Sequence, residues 1–135
     1  MNKLFYILIF CIVSNNIYTQ DVIIIDTAED ISEKEALVIL NGFGDSKKNR
    51  RIQKEFFQEK GYDLFIPEYV EKKSLDLTIS TFSSFYNRYK LDEYKQVKFL
   101  CYIIGGYVLN QHIEKNGKGK ITTIIYDRSP TQERA

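Results

Sequence analysis

Five apolar residues in a row, Ala36-Leu37-Val38-Ile39-Leu40, run straight into the turn Asn41-Gly42-Phe43-Gly44. A strand with one wet face alternates polar and apolar side chains, so an unbroken run of this kind describes a strand buried on both faces. A chain with several such runs, separated by amphipathic stretches, is constrained to a parallel sheet with helices packed on its two sides. Further strands are expected at Asp63-Leu64-Phe65-Ile66, a short buried one halted by Pro67, at Val97-Lys98-Phe99-Leu100-Cys101-Tyr102, and at the β-branched Ile121-Thr122-Thr123-Ile124-Ile125-Tyr126. Asp21-Val22-Ile23-Ile24-Ile25 is a further candidate strand at the start, joined to the next by the polar stretch around Glu29, Asp30, Glu33 and Lys34.

Helices are expected between these runs. After the first glycine turn, Asp45 or Ser46 can cap a helix carrying Ile52, Phe56 and Phe57, which Gly61 ends. Leu75, Ile79, Phe82, Tyr86 and Tyr89 fall on one helical stripe that Ser74 can cap, and this aromatic stripe reads as core. Gly105-Gly106 opens a third helix with Leu109 and Ile113, closed by Asn116-Gly117-Lys118-Gly119. The order is βαβαβαβ, an α/β fold with a mostly parallel sheet of four to five strands in one domain spanning residues 21–135, without repeats or linkers.

Residues 1–20 stand apart. Lys3, the apolar run Leu4 to Val13 and the polar Ser14-Asn15-Asn16 have the order of a secretory signal peptide, and the run is shorter than the roughly twenty residues a membrane-spanning helix needs. Cleavage would follow a small residue such as Ser14 or Thr19. Leu8-Ile9-Phe10-Cys11 has a lipoprotein-like outline, but bulky Phe10 argues against lipidation. The expectation is an exported protein, periplasmic or secreted, with no transmembrane anchor after signal removal. Cys101 then remains the single cysteine, which excludes an internal disulfide.

Nineteen basic and eighteen acidic side chains give a formal charge of +1, so no nucleic-acid footprint is present, and Lys47-Lys48-Asn49-Arg50-Arg51 reads as the wet face of a helix. One histidine and no Cys/His cluster leave no metal-ligand set. Gly42-Phe43-Gly44 lacks the third glycine of a dinucleotide fingerprint, Lys47 standing in its place, and no P-loop occurs. No cofactor is expected.

In such sheets ligands bind beyond the carboxyl ends of the strands. That places chemistry at Asn41 to Asp45, Pro67 to Tyr69, Ile103 to Gly106 and Asp127 to Pro130. Here the sequence resembles the α/β-hydrolase family, over residues 36 to 134. In that family one strand ends in a turn that helps form an oxyanion hole, a role the resemblance gives to Asn41, Gly42, Phe43 and Gly44. A later strand ends in a nucleophile elbow, small-x-nucleophile-x-small, matched by Cys101, Ile103, Gly105 and Gly106. The resemblance implies that the four clear strands correspond to the family's third to sixth, in spatial order second, first, third, fourth.

The nucleophile position is Ile103, whose aliphatic side chain has neither a proton to give up nor a lone pair to attack with. A β-branched residue also tolerates positive φ poorly, so the turn is either relaxed or strained at Ile103. His112 lies on the helix after the elbow, where the family does not place its base, and reads as a surface or boundary residue. Asp127 is the best-placed carboxylate, with an Asx-type turn before Pro130 as its plainer role. Cys101 belongs to a buried strand, and Ser129 is a turn residue. Two functional expectations follow: a noncatalytic hydrolase-like protein that binds a small molecule or a protein, or a piece of a genuine esterase- or lipase-like hydrolase whose remaining residues lie beyond Ala135. A nucleotide-binding domain of Rossmann or flavodoxin type is a weaker third.

Overall fold

The structure is a computed structural model and describes residues 21–129. The expected signal peptide and Pro130 lie outside the described residues. In chain order the elements are β1 (Val22–Ile24), β2 (Glu35–Leu40), α1 (Lys47–Phe57), β3 (Asp63–Ile66), α2 (Leu75–Arg88), β4 (Gln96–Tyr102), α3 (Ile104–Asn116) and β5 (Ile121–Asp127), with single 3-10 turns at Ile31–Glu33 and Leu91–Glu93.

One sheet carries all five strands in the order β1-β3-β2-β4-β5. Strands β2 to β5 run parallel, and β1 joins the outer edge of β3 antiparallel, Ile23 opposite Phe65. The four clear strands thus take the spatial order expected of them. Buried β2 lies between β3 and β4, where both faces are covered, which is why its sequence shows no polar alternation.

Helices α2 and α3 cover one face. Phe82, Phe85, Tyr86, Val108 and Leu109 pack there on Val38, Leu40, Phe65, Phe99 and Cys101. Each large apolar side chain taken fully out of water contributes about 1.5–3 kcal/mol, and this face holds most of the described core. The opposite face is thinner: Leu37, Ile39, Leu64 and Ile66 are buried beneath α1, with Phe57 packed against them.

Helix starts follow the sequence. Ser46 Oγ accepts from the Asn49 amide at 3.1 Å, and Ser74 Oγ from the Leu77 amide at 3.2 Å. The phase of α1 differs from expectation. Ile52 and Phe56 are 52% and 61% exposed, whereas Arg50 and Gln53 are buried. Arg50 therefore leaves the basic run read as a wet face. Its guanidinium binds Asp45 and Glu68, each at 2.5 Å, and Gln53 pairs with Asn41, so polar partners in the loops around α1 set which side of the helix turns inward.

Candidate functional site

The site is assembled where β2 and β4 end side by side. At the end of β2, the Asn41 and Gln53 side-chain amides exchange two hydrogen bonds of 2.8 Å, and the Asn41 carbonyl accepts from the Tyr69 hydroxyl at 2.6 Å. These three contacts fix the turn that carries Gly42, Phe43 and Gly44. Phe43 is 57% exposed at its tip. None of these partners follows from sequence spacing, because Gln53 and Tyr69 come from separate elements.

At the end of β4 the chain turns sharply at Ile103, with φ 52° and ψ −113°, and enters α3 at once. The elbow is strained rather than relaxed. Holding a β-branched residue at positive φ costs on the order of 1–3 kcal/mol and persists only where neighbours fix it. Here they do: the Ile103 amide donates to the Asp127 carbonyl at 3.1 Å, anchoring the turn to the end of β5.

The glycines permit this closeness. A Cβ on Gly105 would lie 2.5 Å from the Leu40 carbonyl oxygen, and one on Gly106 would lie 2.5 Å from Ser129 Cβ and 2.8 Å from Tyr126 Cδ1. Across the gap, a Cβ on Gly42 would meet Ile103 Cβ at 2.8 Å. The two turns singled out in the sequence are therefore in contact; Gly42, Gly105 and Gly106 serve close backbone approach, whereas Gly44 has open space around it and a positive φ of 82°.

The other candidates separate. Cys101 is fully buried in β4, and burial pushes its thiol up to about 12, so it stays protonated near neutrality. Ser129 donates to the Cys101 carbonyl at 3.1 Å and sits beneath the elbow as a structural clamp. The Asp127 side chain pairs with Arg128 at 3.2 Å, and the Pro130 end of its expected Asx-type turn lies outside the described residues. His112 is buried, not a surface or boundary residue, because the α2–α3 seam closes over it, where it lies near Ser83 and Asn116.

A cleft of about 80 Å³ opens beside the β2 turn, between Asn41, Gly42, Phe43, Arg50, Glu68 and Tyr69. Burial raises the Tyr69 phenol well above its ordinary value, so it acts as a hydrogen-bond donor and not as a base. Among the described residues, no group of three or more His, Cys, Asp or Glu side chains could hold a metal ion. No helix among them is long and apolar enough to cross a membrane. The arrangement offers an apolar tip at Phe43, a 41% exposed aliphatic side chain at Ile103 and a small polar cleft.

No protein-family model and no curated protein matches the chain. Solved structures do. MGS-MChE2, an α/β-hydrolase enzyme from the metagenome of sediments of the Mar Chica lagoon in Morocco, aligns over 82% of this chain and 48% of its own at TM-score 0.59 and 21% identity. A structure described with LipS and LipT, two metagenome-derived lipolytic enzymes, aligns over 86% and 48% at TM-score 0.61 and 10% identity. MGS-M2, an α/β-hydrolase enzyme from a Medee basin deep-sea metagenome library, aligns over 78% and 40% at TM-score 0.55 and 19% identity. The chain spans about half the length of these proteins. With its strand order, its strained elbow and these structural matches, the chain has an α/β-hydrolase-like fold.

Proposed function

We propose that this chain is an exported, noncatalytic α/β-hydrolase-like protein whose paired turns at the ends of β2 and β4 bind a small molecule instead of acylating on it. The observation that carries this reading is Ile103: the strained backbone that presents a nucleophile in an elbow here presents an aliphatic side chain. The described residues around it add no substitute, since Cys101 is buried and Ser129 is engaged with the Cys101 carbonyl. Exposed Phe43 and Ile103 suit an apolar group, and the adjoining cleft suits a small polar one. A panel of short-chain carboxylic acids and their esters tests this by amide NMR. Binding without turnover should shift the Gly42, Phe43 and Ile103 signals; turnover of any ester, or a spectrum unchanged across the panel, would sink the idea.

A second reading is favoured by length, because the structural neighbours carry about as much chain again. In that case the described sheet is part of a longer esterase- or lipase-like hydrolase. The coding sequence downstream of Ala135 decides between the two: an open frame encoding further strands and a histidine supports the longer protein, and an immediate stop codon removes it. Ile103 still requires a nucleophile other than the elbow residue.

For export, the supporting feature is the Leu4 to Val13 run between Lys3 and Ser14. Fractionation with N-terminal sequencing of the mature product tests it. A cytoplasmic product retaining Met1 would contradict it.

A further inference from the structure

We infer that His112 is a pH-sensitive latch on the seam between α2 and α3, held neutral by two donors that share its Nδ1. The imidazole is 4% exposed and lies against the rings of Phe82 and Tyr86, with centroids 5.3 and 4.4 Å away. Ser83 Oγ of α2 is 3.2 Å from Nδ1, and Asn116 Nδ2 of α3 is 3.3 Å from it.

The Asn116 contact fixes the tautomer. Its Nδ2 also donates to the His112 carbonyl at 3.0 Å, and a carbonyl can only accept. The amide therefore turns its NH2 toward the ring, Nδ1 must accept, and the proton of the neutral imidazole resides on Nε2. Protonating Nδ1 would set an N–H against an NH2. Relief requires the Asn116 amide to flip, which breaks its bond to the His112 carbonyl near the end of α3.

Two titratable groups face the ring: the Tyr86 phenol from α2 and the Asp92 carboxylate from the turn after α2, the first donating to the second at 2.8 Å. Burial lowers the His112 pKa from its ordinary value, and Asp92 opposes this more weakly. The unfolded chain takes up a proton near the ordinary value of about 6.5, whereas the folded chain resists until lower pH. The folded state is consequently favoured most above that value, and the advantage falls away as the pH drops from about 6.5 to the folded pKa. Because α3 begins at Ile104, directly after the elbow, loosening this seam withdraws support from the strained turn.

His112 is the single histidine in these 135 residues, so in a tag-free protein of this sequence its imidazole signals are unambiguous. Nitrogen-15 NMR should show unprotonated Nδ1 at pH 7.5 and a titration midpoint below 6.5. Asn116→Asp, which replaces the donor with an acceptor, should protonate Nδ1 and raise the midpoint. Between pH 7.5 and 5.5 the wild type should lose folding equilibrium by up to about ten-fold per pH unit, the limit for one proton, and His112→Gln should flatten that loss. A protonated Nδ1 at pH 7.5, a wild-type midpoint at or above 6.5, or an Asn116→Asp midpoint equal to wild type would each overturn the proposal.

Discussion

At the amino-terminal end of the sheet, Lys34, Asp63 and Tyr94 form a closed polar cluster: Lys34 Nζ meets Asp63 Oδ2 at 2.6 Å and the Tyr94 hydroxyl donates to the same oxygen at 2.7 Å, while the Asp26 amide donates to Oδ1 at 3.0 Å. At the carboxyl end, Gly42, Ile103, Gly105 and Gly106 bring two turns into contact around a strained backbone, with an aliphatic side chain at its apex. Both ends depart from ordinary packing, but in different currencies. The first takes charge out of water and satisfies it completely, which fixes the fold. The second keeps a backbone geometry suited to presenting a side chain outward. A strained turn is therefore no evidence of catalysis by itself; the chemistry depends on the side chain that the turn presents.

The comparison is broken most sharply at the buried cluster. Asp63→Ala strands the Lys34 ammonium at 8% exposure and removes the Tyr94 acceptor, and should destabilise the protein by about 3–5 kcal/mol in urea unfolding. A loss below about 1 kcal/mol would show that Lys34 reaches water easily, and the cluster would lose its role. Gly105→Val comes next. Its Cβ would press on the Leu40 carbonyl, a backbone atom with little freedom, and should cost about 3 kcal/mol, at the upper end for overpacking. A wild-type melting curve for this variant would mean that the elbow glycine is not needed for close approach.

The smallest effect is expected at Ile103. In Ile103→Gly, relief of positive φ offsets the loss of partial apolar burial and the greater freedom of the unfolded chain, leaving stability within about 1 kcal/mol of wild type. An ordinary half-buried isoleucine replaced by glycine would cost about 2 kcal/mol or more. A loss of that size would indicate that Ile103 is supported by packing and that its backbone is not under strain.

The sheet was legible in the sequence because β2 and β3 are buried on both faces and read as nearly unbroken apolar runs, while β4 buries alternate residues and still reads as a strand. The elbow was legible as a glycine-rich strand end, but the sequence does not decide between a relaxed and a strained Ile103, because φ depends on the anchor to Asp127, which belongs to another strand. The phase of α1 was not legible. Ile52 and Phe56 look like a core stripe, yet Arg50 and Gln53 turn inward to meet Asp45, Glu68 and Asn41, contacts that helical spacing does not encode. The burial of His112 was hidden for a similar reason, since it depends on Ser83, Phe82 and Tyr86 of the neighbouring helix.

The central claim, an elbow that keeps its backbone without acyl-transfer chemistry, is tested most directly by intact-mass spectrometry after treatment with a fluorophosphonate. The wild-type chain should carry no adduct, because its elbow offers Ile103 and the nearby Ser129 hydroxyl is held by the Cys101 carbonyl. Stoichiometric phosphonylation of any serine in the wild-type chain would contradict the account.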